Sequence, residues 1–166
     1  MKKKFIFSIV VLVLGIHGCG YKPTLTYTKK YISGDVYADV KIDISNPEVS
    51  VVLKDAINNA VISKFDANLV SKERAQTELY GTLNSVSMIA LQRDSNEYVS
   101  VYRAVASVTL QITQKTKTTT FTKSGYYDFA VSDGAISSDT QRIEAIKEAS
   151  AKALDNIVAA IIYAAR

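Results

Sequence analysis

The chain reads as an α+β protein: a two-layer α/β sandwich in which about four largely antiparallel strands carry two helices on one face. Three observations predict it. Residues 35–44 alternate strictly with period two, two stretches carry apolar residues at three- and four-residue steps, and three long extended segments lie in a row between those stretches. The expected order is β-α-β-β-β-α.

What precedes the first strand is export machinery rather than fold. Lys2, Lys3 and Lys4 form a basic n-region, and Phe5 to Leu14 form a ten-residue apolar run interrupted only by Ser8. Such a run is a secretory signal, too short to span a bilayer as a helix. It ends in Ile16-His17-Gly18-Cys19, which resembles a bacterial lipobox: a small residue before a cysteine that is lipidated on sulfur and becomes the first mature residue. The competing reading is an ordinary cleaved signal or short anchor with an incidental cysteine. The expected division is residues 1–18 as a cleaved lipoprotein signal, 19–34 as a lipidated tether, and 35–166 as one α/β domain. Two or more acyl chains hold a protein to a membrane stably where one does not, and bacterial lipoproteins carry three.

Without the leader the chain is 166 − 18 = 148 residues, a single-domain length able to bury a core unaided. Loss of the three leader lysines takes Lys plus Arg from 20 to 17 against 16 acids, so the net charge falls from +4 to +1. The basic balance is therefore mostly leader, and no nucleic-acid partner is expected.

Taking the mature chain in order, Gly20 to Gly34 is a polar, tyrosine-spotted lead-in with Lys29 and Lys30, read as a tether whose Tyr and Lys are also able to touch lipid headgroups. Val36, Ala38, Val40, Ile42 and Ile44 then alternate with Asp35, Tyr37, Asp39, Lys41 and Asp43, a half-buried strand. Asn46 is an N-cap candidate, Pro47 suits the first helical position, and Glu48 suits the positive end of the helix dipole. Val49, Val52, Leu53, Ala56, Ile57, Ala60, Val61 and Phe65 predict an amphipathic helix to about Ala67. Asn68 to Gln76, with Lys72-Glu73-Arg74, is a charged connection, with a lipid- or partner-contacting patch as the alternative.

Thr77 to Gln92 is extended, with Gly81 and a change of phase near Ser85–Ser87 that predicts a bulge. Arg93-Asp94-Ser95-Asn96 is turn composition. Tyr98 to Thr113 puts Ala104, Ala106, Val108, Leu110 and Ile112 on one face and Arg103, Ser107, Thr109, Gln111 and Thr113 on the other. Gln114 to Thr118 turns the chain, and Thr119 to Val131 returns with Phe121, Tyr127, Phe129 and Val131 on one side. Threonines between 109 and 122, with Lys115, Lys117 and Lys123, read as a lysine-guarded strand edge or as a polysaccharide- or lipid-binding face. After a loop at 132–137, Ser138-Asp139-Thr140-Gln141 is a capping box. The helix it opens has Ile143, Ile146, Ser150, Ala153, Leu154, Ile157, Val158 and Ile161 as inner stripe, and from Ile157 to Ala165 it is apolar all round, an end that its own sheet or a partner must bury. Short connections place the 93–97 turn, the start of the first helix and the 132–137 loop at one end. The 114–118 turn, the tether and the carboxyl terminus fall at the other.

Catalysis finds little support. His17 is the one histidine and leaves with the signal, and Cys19 is the one cysteine, so Ser-His-Asp and Cys-His nucleophiles and histidine-ligated metals are excluded, as is an internal disulfide. Asp35, Asp39 and Asp43 on one strand, and Asp128, Asp133 and Asp139 beyond, remain as carboxylates, better read as solvated surface, turn and helix-start chemistry. No phosphate loop, EF-hand or GxSxG spacing is present, so no enzyme activity, cofactor or metal is expected.

The lipidated Cys19-Gly20-Tyr21 start, a strand and helix, three long strands, and a closing helix entered through Ser138-Asp139-Thr140 resemble the LptE family of outer-membrane lipopolysaccharide-assembly lipoproteins. The resemblance spans essentially the whole mature chain. It implies a small domain seated as plug and assembly partner in the LptD β-barrel, exported across the inner membrane, anchored in the outer membrane through Cys19, and binding lipopolysaccharide on its way to the cell surface. It also implies basic loop residues for the phosphates of lipid A, and Arg93 fits that role first, with Lys115 and Lys117 behind it. The alternative is a lipid-anchored accessory of another envelope secretion or assembly system, with no lipid ligand.

Overall fold

The computed structural model describes residues 31–41, 47–131 and 138–165. Its sheet is built from β1 (Asp35–Val40), β2 (Asn68–Leu69), β3 (Thr77–Arg93), β4 (Val99–Gln114) and β5 (Lys117–Ala130), in spatial order β2-β1-β3-β4-β5. Helices α1 (Pro47–Ser63) and α2 (Asp139–Ala165) close the domain. Both lie on one face, since α1 residues Leu53, Ile57 and Val61 share a core with α2 residues Ile157 and Ile161 over Val36, Leu79, Leu110 and Ile112. The two-layer sandwich is therefore as expected. The stretch read as a connection adds a two-residue fifth strand and a single 3-10 turn at Lys72–Arg74.

β3, β4 and β5 pair antiparallel through short turns, whereas β1 runs parallel to β3, because α1 carries the chain back to the end from which β1 began. The phase change in β3 is a bulge. Thr77, Leu79 and Gly81 are buried under the helices, and after a register shift between Leu83 and Ser85 it is Val86 and Met88 that pair with the inward Ala106 and Ala104. One extra residue, Asn84, moves the side chains from Ser85 to Ala90 to the other face.

Local signals act where they were read. Pro47 opens α1, where its missing N–H costs nothing. The helix stops at Ser63, short of Ala67, and Asp66 turns the chain at φ 50° while Phe65 still reaches the core. At α2 the capping box is reciprocal: the Gln141 N–H donates to Ser138 Oγ at 3.2 Å and the Ser138 N–H donates to Gln141 Oε1 at 3.1 Å. The inner stripe of α2 is buried from Ile146 to Ile161, with Ile143 half-buried. The apolar end is covered largely by its own sheet, although Tyr163 stays 80% exposed. Cys19, the tether to Lys30, the Ile42–Ile44 part of the first strand, the Asn46 cap and the 132–137 loop lie outside the described residues.

The ends sort largely as expected. Tyr31 donates to the Ala164 carbonyl and the Ser33 carbonyl accepts from Thr77, so residues 31–33 and the carboxyl end of α2 meet at the foot, beside the 114–117 turn. The start of α1 stops short of the tip. β1 ends beside Gly81, which Leu53 and Ile57 approach, and Pro47 lies six residues, or about 9 Å, from Leu53 along the helix. Arg93 lies twelve residues beyond Gly81, about 40 Å along the strand.

Above the large-residue core, α2 meets the sheet through a seam of small residues: Ala145 and Ala149 on Ala104 and Ala106. At Gly125 a Cβ would stand 2.2 Å from the Ala153 nitrogen and 2.3 Å from the Ala149 oxygen, both backbone atoms. At Gly81 a Cβ would meet side-chain methyl groups of Ile57, Val40 and Leu53 instead of backbone. Gly125→Ala is expected to cost about 1–3 kcal/mol by forcing α2 off the sheet, and more than Gly81→Ala, as read from denaturation midpoints.

Candidate functional site

With both helices on one face, nothing among the described residues covers the other face of the sheet. Its side chains form rungs across β3, β4 and β5: Glu78-Thr113-Thr118, Tyr80-Gln111-Thr120, Thr82-Thr109-Thr122, Ser85-Ser107-Ser124, Ser87-Val105-Tyr126 and Ile89-Arg103-Asp128. The hydroxyls bond to one another. Asn84 Nδ2 donates to Thr109 Oγ1 at 2.7 Å, Thr109 and Thr122 lie 2.8 Å apart, and Thr113 and Thr118 lie 3.1 Å apart. The four middle rungs carry no charge. This is a neutral surface of donors and acceptors about 14 Å wide, three strands at ~4.8 Å spacing.

Charges stand at its margins, and three ion pairs hold most of them: Lys54–Asp39, Lys72–Glu78 and Arg103–Asp128. Near the tip, Arg103 grips Asp128 with two hydrogen bonds, Nε to Oδ1 at 2.6 Å and Nη2 to Oδ2 at 2.7 Å, and its guanidinium lies 4.2 Å from the Tyr126 ring centre. The Arg103 hydrogen bonds hold the Asp128 carboxyl below its usual pKa, and Asp128 in return raises that of Arg103. Near β1, Lys54 donates to Asp39 at 3.0 Å and Tyr37 donates to the other oxygen at 3.0 Å. Lys54 is the main cause of the lowered Asp39 pKa, followed among the lowering contacts by the Val40 N–H and the Tyr37 hydroxyl. Sequence reasoning placed Arg103 on this face but left Asp128 among scattered carboxylates. The missing signal was cross-strand register, which sets residues 103 and 128 opposite each other.

The three basic residues singled out for phosphate do not come together. Arg93 ends β3 at the tip, where its Nη1 donates to the Glu97 carbonyl at 2.7 Å. The turn is tightened by Asp94, whose Oδ1 accepts the N–H groups of Asn96 and Tyr98 at 2.8 and 2.9 Å. Lys115 and Lys117 flank the opposite turn, with Lys115 at φ 55°. Fifteen residues of β4 separate the poles, about 50 Å, so one headgroup cannot span them. Lys115 borders a recess of about 610 Å³ lined also by Ser33, Gln76, Glu78, Thr113 and Gln114, in which Glu78 opposes an anion.

Because the folded pKa of Asp128 is depressed, its contribution to stability is present above the unfolded carboxylate value of ~3.9 and is lost as pH falls below that toward the folded value. The difference in denaturation midpoint between the native chain and Asp128→Asn should be largest at neutral pH and shrink below about pH 4. A difference constant to pH 2.5 would contradict the pairing.

A family model described as LptE, lipopolysaccharide-assembly, matches residues 37–161. Among solved structures, a putative lipoprotein from Caulobacter crescentus is 10% identical, with 86% of this chain and 95% of that one covered at a TM-score of 0.50. The rare lipoprotein B from Shewanella oneidensis is 13% identical, with 77% and 95% covered at a TM-score of 0.49. No curated protein matches. At 10% identity the Caulobacter structure speaks for fold alone; the family match runs from within β1 to near the end of α2, well over half the chain. The chain belongs to the LptE family of lipopolysaccharide-assembly proteins.

Proposed function

We propose that this protein is a non-catalytic lipoprotein, anchored in the outer membrane through Cys19, that serves as plug and assembly partner of an LptD β-barrel and binds lipopolysaccharide during its delivery to the cell surface. The observation that carries the reading is the open sheet face, whose four middle rungs are uncharged and, apart from Val105, consist of hydroxyls, the Gln111 amide and tyrosines. Barrel interiors are polar, and a surface packed into one must exchange water for polar wall groups without burying unpaired charge. The ion pairs at the margins keep Arg103, Asp128, Lys54 and Asp39 neutralised in pairs.

Arg93 is the residue proposed to meet a lipid A phosphate. Its guanidinium has five N–H donors, and the Glu97 carbonyl engages Nη1, which orients the remainder outward from a tight turn. Lys115 and Lys117 are assigned a separate, weaker phosphate contact at the foot, since Lys115 shares its recess with Glu78.

Detergent solubilisation of the envelope and capture through a carboxyl-terminal tag tests the partner: one large β-barrel protein should co-purify in stoichiometric amount. Recovery of the domain alone, or with another machine, would overturn the reading. Arg93→Glu should weaken binding of lipid A about tenfold or more at low salt, the worth of one charge-assisted contact of roughly 1.5–3 kcal/mol, with melting temperature and barrel recovery unchanged. Unchanged lipid A binding would remove Arg93 from the site. Cys19→Ala should abolish incorporation of labelled palmitate and release the chain from the membrane fraction; retention of label would place the acyl chains elsewhere.

A further inference from the structure

The strand edges of this sheet are guarded, with one exception. β2 at the margin is two residues long. Beyond it, Lys54 reaches from α1 past the edge of β1 to Asp39 on the open face. On the far side, Asn156 Nδ2 donates to the Ser124 carbonyl of β5 at 2.9 Å, and Lys117 and Lys123 stand exposed along that strand. Short strands, lysines and capping side chains are the devices that keep edges from pairing with strangers.

β3 has none of them over its upper half. The last bond on its β1 side runs from the Lys41 N–H to the Gly81 carbonyl at 2.8 Å, and β3 continues for twelve residues. Among the described residues nothing pairs with it there. The chain between Lys41 and Pro47 is too short to follow β3 past Ser87. From Thr82 to Gln92 the strand has no charged residue, and near its top Ile89 and Leu91 are 47% and 45% exposed. Register shifts around Gln92 end regular pairing with β4, so the regular free edge is Ser87–Ala90 with Leu91 at its bend.

We infer that this edge of β3 receives an extended, uncharged segment of the partner protein as an added strand. Only an extended backbone presents donors and acceptors at the spacing of a strand edge, and the neutral side chains around it favour an apolar or hydroxyl-bearing strand over a charged one. The protein's own tether is too short to cover the edge: Cys19–Lys30 spans at most about 42 Å, whereas Ser87 and Ala90 stand about 33 and 43 Å along β3 from Thr77, which bonds to Ser33, so a tether pulled straight meets the start of the edge with fewer than three residues left to pair. A second copy is disfavoured by area, because pairing along five residues falls far below the ~1,000 Å² of a lasting interface. The added strand therefore belongs to a protein that holds this domain through other contacts. The inference rests on the plug reading for its partner, the barrel protein.

Backbone hydrogen exchange on the full lipidated chain, alone and in the co-purified barrel complex, tests it. Alternate amides within Ser87–Leu91 should exchange freely alone and slow at least tenfold in the complex, and Ile89→Lys should remove that protection without lowering the melting temperature. A complex that forms while these amides still exchange freely overturns strand addition and leaves the plug standing. Absence of the barrel overturns both. Protection that grows with concentration in the isolated chain assigns the edge to a second copy and overturns the partner.

Discussion

The close approach of α2 to β5 at Gly125 governs the architecture. With no Cβ there, and with alanines at 104, 106, 145 and 149, the helix backbone lies directly on the sheet instead of riding on large side chains. Protein interiors are packed too densely for the helix to sit elsewhere without leaving voids. α2 therefore covers β4 and β5, α1 takes the remaining space over β1 and the foot of β3, and the two helices bury the lower part of this side of the sheet while Val86, Met88 and Tyr102 near the tip stay half-buried.

From this one-sided cover comes the character of the other side. A sheet with a single buried face must present polar side chains on the opposite one, and here threonine and serine satisfy both strand propensity and hydrogen bonding. The ion pairs at its margins are exposed and contribute little to stability. Their consequence is electrostatic: the face shows few unpaired charges to whatever it meets, while Arg93, bonded to the Glu97 carbonyl, stands at the tip.

The domain is also polarised along its strands. Residues 31–33, the carboxyl end of α2 and the lysine-bearing turn collect at the foot, while Arg93 and the unguarded edge of β3 project at the tip. The shortness of β1 creates that contrast: it ends at Gly81, so the upper half of β3 has β4 as its only described neighbour. In the proposed role, the foot faces the anchor and the tip faces ligand and partner.

Much of this was present in the order of residues. Period-two alternation, three-and-four spacing, Pro47, the Ser138–Gln141 box and the phase change near Ser85 are local signals, acting over a few residues through backbone geometry and short-range hydrogen bonds. They determined the order of the two helices and the four longer strands and the two-layer fold, while the two-residue strand at Asn68–Leu69 left no such signal. The tertiary structure alone decided what depends on distant partners. It made β1 parallel to β3, gave Arg103 to Asp128, set Gly125 against the α2 backbone, parted Arg93 from Lys115 and Lys117 by the length of β4, and left one edge bare. The reason is physical: a residue's periodicity reveals which face it occupies, but which residue stands across from it is set by register, and register is a property of the assembled sheet.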